Sequence, residues 1–196
     1  MRLLLLSLAP ILMFTACNSE PLDVDISDID IEIEMKRFDQ DLFNQQSGIE
    51  YHIANLRQEY GEFYKNYTQL LPPLGHPDDP AHKMYLKPFI EDPSVLEVNA
   101  EIQKKYGSVK GVEEEFELAW RYYAYHFPSR VIPEMIAYNS ALNMSPLVND
   151  EQMGVGLDLF LGADYPLYAS VQFPLFMRRK MKRENLVYNS VKGDHL

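Results

Sequence analysis

The alternation of apolar and polar positions predicts a strand near the amino end of the chain. Between Asp28 and Met35, carboxylates occupy one set of alternate positions, and Ile29, Ile31 and Ile33 occupy the other. A period of two with β-branched residues on one side is typical of a half-buried strand. We interpret the carboxylates as a solvated face that discourages pairing with a further strand, because an extended chain spreads them too widely to share one calcium ion.

Apolar residues at steps of three and four predict helices farther along the chain. Residues 49–67 carry such a stripe. We expect Ser94 to cap a second helix that runs to Tyr106, because a serine hydroxyl accepts hydrogen bonds from the first free amides of a helix. A third helix is predicted from about Val112 to Phe127, where the following proline prevents its continuation. We count Phe127 among the buried residues of this helix.

The rest of the chain is predicted to hold shorter elements. Residues 71–93 contain six prolines and are interpreted as an irregular loop with short turns. Strands are expected at 131–138 and 155–161, separated by a turn region around 143–153, and a helix is expected at 173–181. Together these elements indicate a helix-rich α+β domain with a few short strands.

The amino end has the pattern of a bacterial lipoprotein signal. Met1-Arg2 is followed by a short apolar run and by Thr-Ala-Cys, which correspond to the positive region, apolar region and cleavage site of an export signal. We predict that residues 1–16 are a signal peptide and that Cys17 carries lipid, with palmitate among its chains. Residues 17–27 would then form a tether and 28–196 a single domain. The alternative is that Cys17 is an ordinary thiol.

The chain is acidic, with 18 basic and 29 acidic residues and a net charge of −11. Such a charge repels nucleic acid, which is therefore not an expected partner. Five cations stand close together against this background: Arg178, Arg179, Lys180, Lys182 and Arg183. This basic cluster is a candidate contact surface for anionic lipid headgroups or an acidic partner. The alternative is a helix end whose cations complement the helix dipole and face solvent.

The histidines do not form a recognisable metal site. A common type of zinc peptidase has two histidines four residues apart on a helix and a glutamate that activates water. No two of the five histidines have this spacing. His76 and His82 lie in the proline-rich segment, where we expect both to be exposed polar residues. We therefore predict no bound metal and no cofactor.

Other catalytic motifs are also missing from the sequence. Cys17 is the only cysteine and is assigned to the lipid, and no Gly-x-Ser-x-Gly elbow occurs. Gly154 and Gly156 lack the third glycine of a dinucleotide-binding loop. We predict that the protein is not an enzyme.

Several sequence blocks together resemble a known family. The blocks are Phe38–Phe43, Phe127–Pro133, Gly154–Gly162, Tyr165–Tyr168 and Phe173–Met181. Their order and spacing, together with the lipoprotein signal, resemble the gliding motility lipoprotein GldB family of the Bacteroidetes, from residue 1 to about Val187.

The resemblance implies a non-catalytic component of the gliding machinery, which in that phylum works with the type IX secretion system. It also implies attachment to the outer or inner membrane through Cys17, a position facing the periplasm, and protein partners in the motility or secretion apparatus. Relatives also occur in species that do not glide, so the family name overstates the role of some members.

Two further expectations follow from the resemblance. The block from Gly154 to Gly162 is also similar to part of a group of zinc proteases, so the alternative function is a related enzyme with a lost or unconventional site. Family members have on the order of 300 residues, still within one or two domains, whereas this chain stops at Leu196. We therefore expect an incomplete domain with uncovered strand surfaces near Val131 and Val155, and a chain without any function is a third possibility.

Overall fold

The computed structural model describes residues 24–70, 74–143 and 147–192. Its strands are β1 (Met35–Arg37), β2 (Glu134–Tyr138) and β3 (Gln152–Gly156). Its α-helices are α1 (Phe38–Asp41), α2 (Ile49–Leu70), α3 (His82–Ile90), α4 (Pro93–Tyr106), α5 (Lys110–His126), α6 (Pro166–Ser170), α7 (Leu175–Arg178) and α8 (Leu186–Lys192), and two 3₁₀ helices span Leu157–Phe160 and Arg183–Asn185. The prediction of a helix-rich α+β domain with a few short strands is confirmed.

The three strands form one parallel sheet in the order β1-β2-β3. Met35 pairs with Met135 at the start of the first ladder, and Gln152 pairs with Glu134 at the start of the second. Parallel neighbours cannot be joined by a tight turn and need a crossover connection. The connection between β1 and β2 supplies five helices, α1 to α5.

The central strand separates two hydrophobic cores. Met135 and Ala137 belong to the core built with α4, α5 and α8, whereas Ile136 and Tyr138 belong to the core built with α2 and α3. Successive side chains of a strand point to opposite faces. Because both faces of β2 are covered by helices, all its residues after Glu134 are buried.

Aromatic rings fill the core on the α2 side. The ring of Phe38 lies 4.8 Å from Tyr60, 5.3 Å from Phe63 and 4.7 Å from Tyr67, centroid to centroid, in edge-to-face contacts. Such pairs add about 0.5–1.5 kcal/mol each beyond their buried area. The residues on α2 come from its predicted apolar stripe. The helix continues past this stripe, although Gly61 has φ 48° and ψ −120° and so bends it.

The predicted strand over 28–35 is largely an extended segment without a strand partner. Its alternation of exposed carboxylates and inward apolar side chains is as predicted, but the ladder begins only at Met35. Two of its amides donate to side chains of α5: Ile33 N to Glu117 at 3.2 Å and Met35 N to Glu113 at 2.9 Å. Residues 28–34, here called the leading segment, therefore lie against a helix. Glutamate carboxylates of this helix accept the hydrogen bonds that the carbonyl groups of a neighbouring strand would otherwise accept.

Several predicted helix boundaries and burials were wrong. Asp92, not Ser94, caps α4, because its side chain accepts hydrogen bonds from the amides of Ser94 and Val95 and Pro93 occupies the first helical position. The predicted loop over 71–93 contains α3, which tolerates a proline close to its end. Phe127 is exposed, since it follows the last turn of α5 instead of belonging to its buried face.

The later elements are shorter than predicted. The strand expected at 155–161 ends at Gly156 and continues as a 3₁₀ helix, and the helix expected at 173–181 is reduced to the single turn of α7. The expectation of uncovered strand surfaces was wrong for β3, where Val155 is fully buried by the core on the α5 side.

Close packing at Gly154 gives a stability prediction. A Cβ at this position would lie 2.9 Å from Leu147 Cβ, 2.9 Å from Phe63 Cε2 and 3.0 Å from Leu147 O. Gly154→Ala should therefore lower the free energy of unfolding by about 1–3 kcal/mol, as overpacking does. Gly156→Ala is the control, because its Cβ would meet other atoms at 3.5 Å. Urea unfolding checks both, and equal losses would contradict the packing described.

Candidate functional site at the carboxyl edge of the sheet

The parallel strands β2 and β3 end side by side, and their continuations bring polar residues together. Ser140 follows β2 by two residues, and Asp158 follows β3 by two residues. Asp158 is fully buried. Its carboxylate accepts hydrogen bonds from Ser140 N at 2.9 Å, from Ser140 Oγ at 2.6 Å and from Leu142 N at 2.7 Å. In open parallel sheets this edge is the common place for ligands.

Burial and hydrogen bonding act in opposite directions on Asp158. Burial raises the pKa of its carboxyl group, and the hydrogen bonds from Ser140 and Leu142 oppose that shift. The Tyr67 hydroxyl lies in the same buried region and donates to Asn139 O at 2.9 Å, and burial raises its pKa as well. Neither polar group faces solvent. In this structure Asp158 therefore organises the chain after β2 and does not face a substrate.

The loop held by Asp158 has a strained backbone. Ala141 and Leu142 have φ values of 53° and 61°, a region that costs a residue with a Cβ roughly 1–2 kcal/mol. The amide of Ala141 donates to Asn139 Oδ1 at 2.9 Å, and the amide of Leu142 donates to Asp158. These two bonds keep the chain in a conformation that its side chains disfavour. Strain of this kind collects at binding sites and switches.

The strained loop forms one wall of a cleft of about 300 Å³. Val95 and Val98 of α4 form a second wall, and Leu167 and Val171 from the α6 region form a third. The cleft is at the lower end of the volume range of ligand pockets, about 300–1,000 Å³. Its lining is mainly aliphatic, so the cleft can make mainly apolar contacts with a ligand.

The basic cluster does not act as one surface. Arg183 donates to both oxygens of Glu115, at 3.0 and 2.9 Å, and to Gly111 O at 3.0 Å, so it fixes the first turns of α5. Arg178 is half-buried, and Lys182 Nζ lies 3.8 Å from Glu184 Oε1.

Two cations of the basic cluster are left at the surface. Arg179 and Lys180 are exposed and make no ion pair within the described residues. Leu175 and Phe176 are exposed beside them in sequence. The candidate contact surface is thus narrower than the five cations, and its role stays a prediction.

The histidine prediction needs a correction. His82 is buried, not exposed: its Nδ1 lies 2.6 Å from Leu74 O and its Nε2 lies 2.7 Å from the Tyr64 hydroxyl. Burial lowers the pKa of this imidazole. His76 is partly exposed, and its Nδ1 accepts from Asp78 N at 3.1 Å. Within the described residues, no group of three or more histidine, cysteine or acidic side chains is placed to hold a metal.

The sequence contains one signal that points to Asp158, although no known motif includes it. A single carboxylate lies inside the apolar run from Val155 to Leu161. A charged residue within a buried run needs hydrogen-bond partners, and those partners come from a loop that is distant in sequence. Cys17, the predicted lipidation site, lies outside the described residues.

Comparison with known proteins identifies the family. A family model with the description "Gliding motility protein GldB" matches residues 19–193. Comparisons with curated proteins and with solved structures return no match. Within the part of the chain that the structure describes, no helix is long and apolar enough to cross a membrane.

The strained loop gives a prediction with an unusual sign. Ala141→Gly should raise the free energy of unfolding by up to about 1 kcal/mol, because glycine adopts φ 53° without a Cβ clash and this gain exceeds its entropic cost. Ala119→Gly in the middle of α5 is the control and should lower stability by about 1 kcal/mol. Thermal unfolding distinguishes them. Destabilisation of the same size in both variants would show that the loop is unstrained.

His82 gives a prediction about pH. Its pKa in the folded state lies below the ordinary value of 6.5, so the unfolded chain binds more protons in this range. The contribution of His82 to stability is therefore complete above the ordinary pKa of 6.5 and is lost as the pH falls through that value towards the lower pKa of the folded state. His82→Gln should flatten this loss of stability, whereas the control His76→Gln, at a partly exposed position, should keep it. Urea unfolding at several pH values measures the slope, and an unchanged slope in the His82 variant would contradict the assignment.

Proposed function

The chain belongs to the family of the gliding motility protein GldB, and from this membership we propose that it is a lipid-anchored, non-catalytic component of the envelope machinery for gliding and type IX secretion. The observation that carries the proposal is the extent of the family match. It begins at residue 19, two residues after Cys17, and ends at residue 193, one residue after α8. The match thus includes residues 19–27 of the predicted tether and the whole described domain, and it begins after Cys17.

The proposed attachment is covalent and depends on Cys17. An export signal that ends at a cysteine is the pattern of a protein acylated on that residue. Stable anchoring needs two lipid signals, which a diacylglycerol on the thiol and an acyl chain on the new amino terminus would supply. The polar residues 18–23 are suited to a short tether in water. The domain would then face the periplasm, close to its membrane.

The proposed non-catalytic role is supported by how the reactive side chains are used. Both ring nitrogens of His82 lie within hydrogen-bond distance of other groups, and His52 Nε2 lies 2.9 Å from Leu42 O. The Asp158 carboxylate holds the backbone after β2. These three residues are buried and stabilise loops between elements. Their positions fit a scaffold, whose stability depends on satisfied buried polar groups.

The proposed contacts with other proteins of the apparatus are placed at the exposed part of the basic cluster. Arg179 and Lys180 stand beside exposed Leu175 and Phe176. A small apolar area next to cations is suited to an acidic partner, because charge steers the encounter and apolar contact holds it. The chain as a whole has a net charge of −11, which would disfavour the same partner elsewhere.

Palmitate labelling in the native host tests the proposal. The wild-type chain and the control Ser19→Ala should incorporate labelled palmitate and sediment with membranes, and Cys17→Ala should do neither. Replacement of the chromosomal copy by Cys17→Ala should also reduce gliding or type IX secretion, because the domain would lose its attachment. Labelling of Cys17→Ala, or normal movement and secretion in that strain, would contradict the proposal. Stoichiometric zinc in the purified protein, lost in His82→Gln, would contradict the non-catalytic role.

A further inference from the structure

Three apolar side chains protrude at the carboxyl end of α5. Tyr125 is 46% exposed, Phe127 is 52% exposed and Val131 is 76% exposed. We call these residues the apolar tip. Arg130 lies between them in sequence and makes no ion pair within the described residues. Large apolar side chains are normally exposed singly, so three within seven positions need an explanation.

The leading segment runs along α5 towards this tip. Met35 N donates to Glu113, and Ile33 N donates to Glu117. Two residues towards the amino end of the segment therefore correspond to four residues, about one turn, towards the carboxyl end of α5. The two distances agree, since two extended residues span about 6.6 Å and four helical residues about 6 Å. Continued at this rate, the segment would bring Ile29 level with Tyr125. The chain therefore enters the domain beside the apolar tip.

A groove lined by both parts of the chain supports this direction. Ile31 and Ile33 of the leading segment line it together with Ile132 and Pro133, which follow Val131 directly. The segment thus lies beside the loop after α5 as well as beside the helix. The entry point of the chain and the apolar tip share one end of the molecule.

The short tether limits how far this end lies from a membrane. Eleven residues lie between Cys17 and Ile29. A fully extended chain spans at most about 3.3–3.6 Å per residue, so the twelve steps from Cys17 to Ile29 span about 40 Å in all. The opposite end of α5 lies about 25 Å from the tip, because a helix rises 1.5 Å per residue over its 17 residues. The tip is therefore the end of α5 nearest to the point where the tether joins the domain.

We propose that the apolar tip rests in the headgroup region of the bilayer that holds the Cys17 lipid. This inference depends on the lipid anchor of the proposed function and adds an orientation to it. Tyrosine and phenylalanine partition into this region, and the Arg130 guanidinium can bind lipid phosphate. The tip alone is too small for stable binding, but the anchor makes its contact intramolecular and so raises its effective concentration.

The chemistry of the surrounding chain indicates which lipid surface is suited to the tip. The tether and leading segment carry many carboxylates, from Glu20 to Glu34. These charges are repelled by anionic headgroups within a Debye length of about 8–10 Å. The partner surface is therefore zwitterionic, such as phosphatidylethanolamine, whose phosphate is available to Arg130 and which has no net charge.

Single cysteines measure the contact in the lipidated full chain. Cys17 is the only native cysteine, so a lipidated protein has no free thiol until one is introduced. Phe127→Cys and Val131→Cys place an environment-sensitive fluorophore at the tip. Tyr51→Cys on α2 and Met84→Cys on α3 are matched controls, since these residues are 62% and 69% exposed and apolar. All four positions are exposed, so the variants should fold.

The labelled proteins are reconstituted into phosphatidylethanolamine–phosphatidylcholine vesicles with brominated acyl chains as quenchers. We expect quenching at positions 127 and 131 to be at least threefold that at positions 51 and 84, and weaker quenching at the tip after Arg130→Glu. Equal quenching at all four positions overturns the inference and leaves the lipid anchor intact. Fluorophore attachment to the parent protein, which shows a free thiol at Cys17, overturns both the lipid anchor and the orientation.

Discussion

The structure depends on the burial of β2 on both faces. Four successive residues, Met135 to Tyr138, are enclosed by two separate cores, so their backbone groups must be satisfied by strands on either side. Both neighbours are parallel to β2. Parallel pairing needs long connections. The connection between β1 and β2 supplies α1 to α5, and α6 to α8 follow β3. A strand of five residues thus determines the three-layer arrangement of the described domain.

The two features of functional interest lie at opposite ends of this sheet. After the carboxyl end of β2, the buried Asp158 carboxylate holds Ser140 and the strained backbone at Leu142, and hydrogen bonds to a charged group contribute roughly 1.5–3 kcal/mol each. Before the amino end of β1, Glu113 and Glu117 hold the leading segment to α5. In both places a carboxylate binds backbone amides that have no strand partner. These acidic side chains are structural ligands of the backbone.

The sequence predicted the elements whose pattern is local. The apolar stripe of α2 and the helix α5 were predicted because three-and-four spacing depends only on nearby residues. The sequence did not predict α3, because six prolines over residues 71–93 indicate an irregular loop. The structure nevertheless has a nine-residue helix there, with Pro88 inside it. The leading segment has the period of a strand but lies against a helix, and only the tertiary partner distinguishes the two.

The candidate site was less accessible to prediction than the fold. Asp158 binds residues 16 to 18 positions earlier in the chain, and no motif marks such a pairing. The basic cluster could be recognised in the sequence because its cations are consecutive or nearly so. The sequence did not show that Arg183 binds Glu115, 68 positions away, and so is not available as a surface cation. His82 seemed exposed because its neighbours are prolines and aspartates. Its burial comes from contact with Tyr64 on a different helix.

The central claim is that the leading segment is fixed along α5 and so determines where the chain enters the domain. Residue-resolved hydrogen–deuterium exchange tests it most directly. The amides of Ile33 and Met35 should exchange as slowly as those of Ile136 and Ala137 in β2, and replacement of both Glu113 and Glu117 by alanine should release only the first pair. Rapid exchange at Ile33 and Met35 in the wild-type protein would contradict the claim. A mobile segment would not fix the point at which the tether joins the domain.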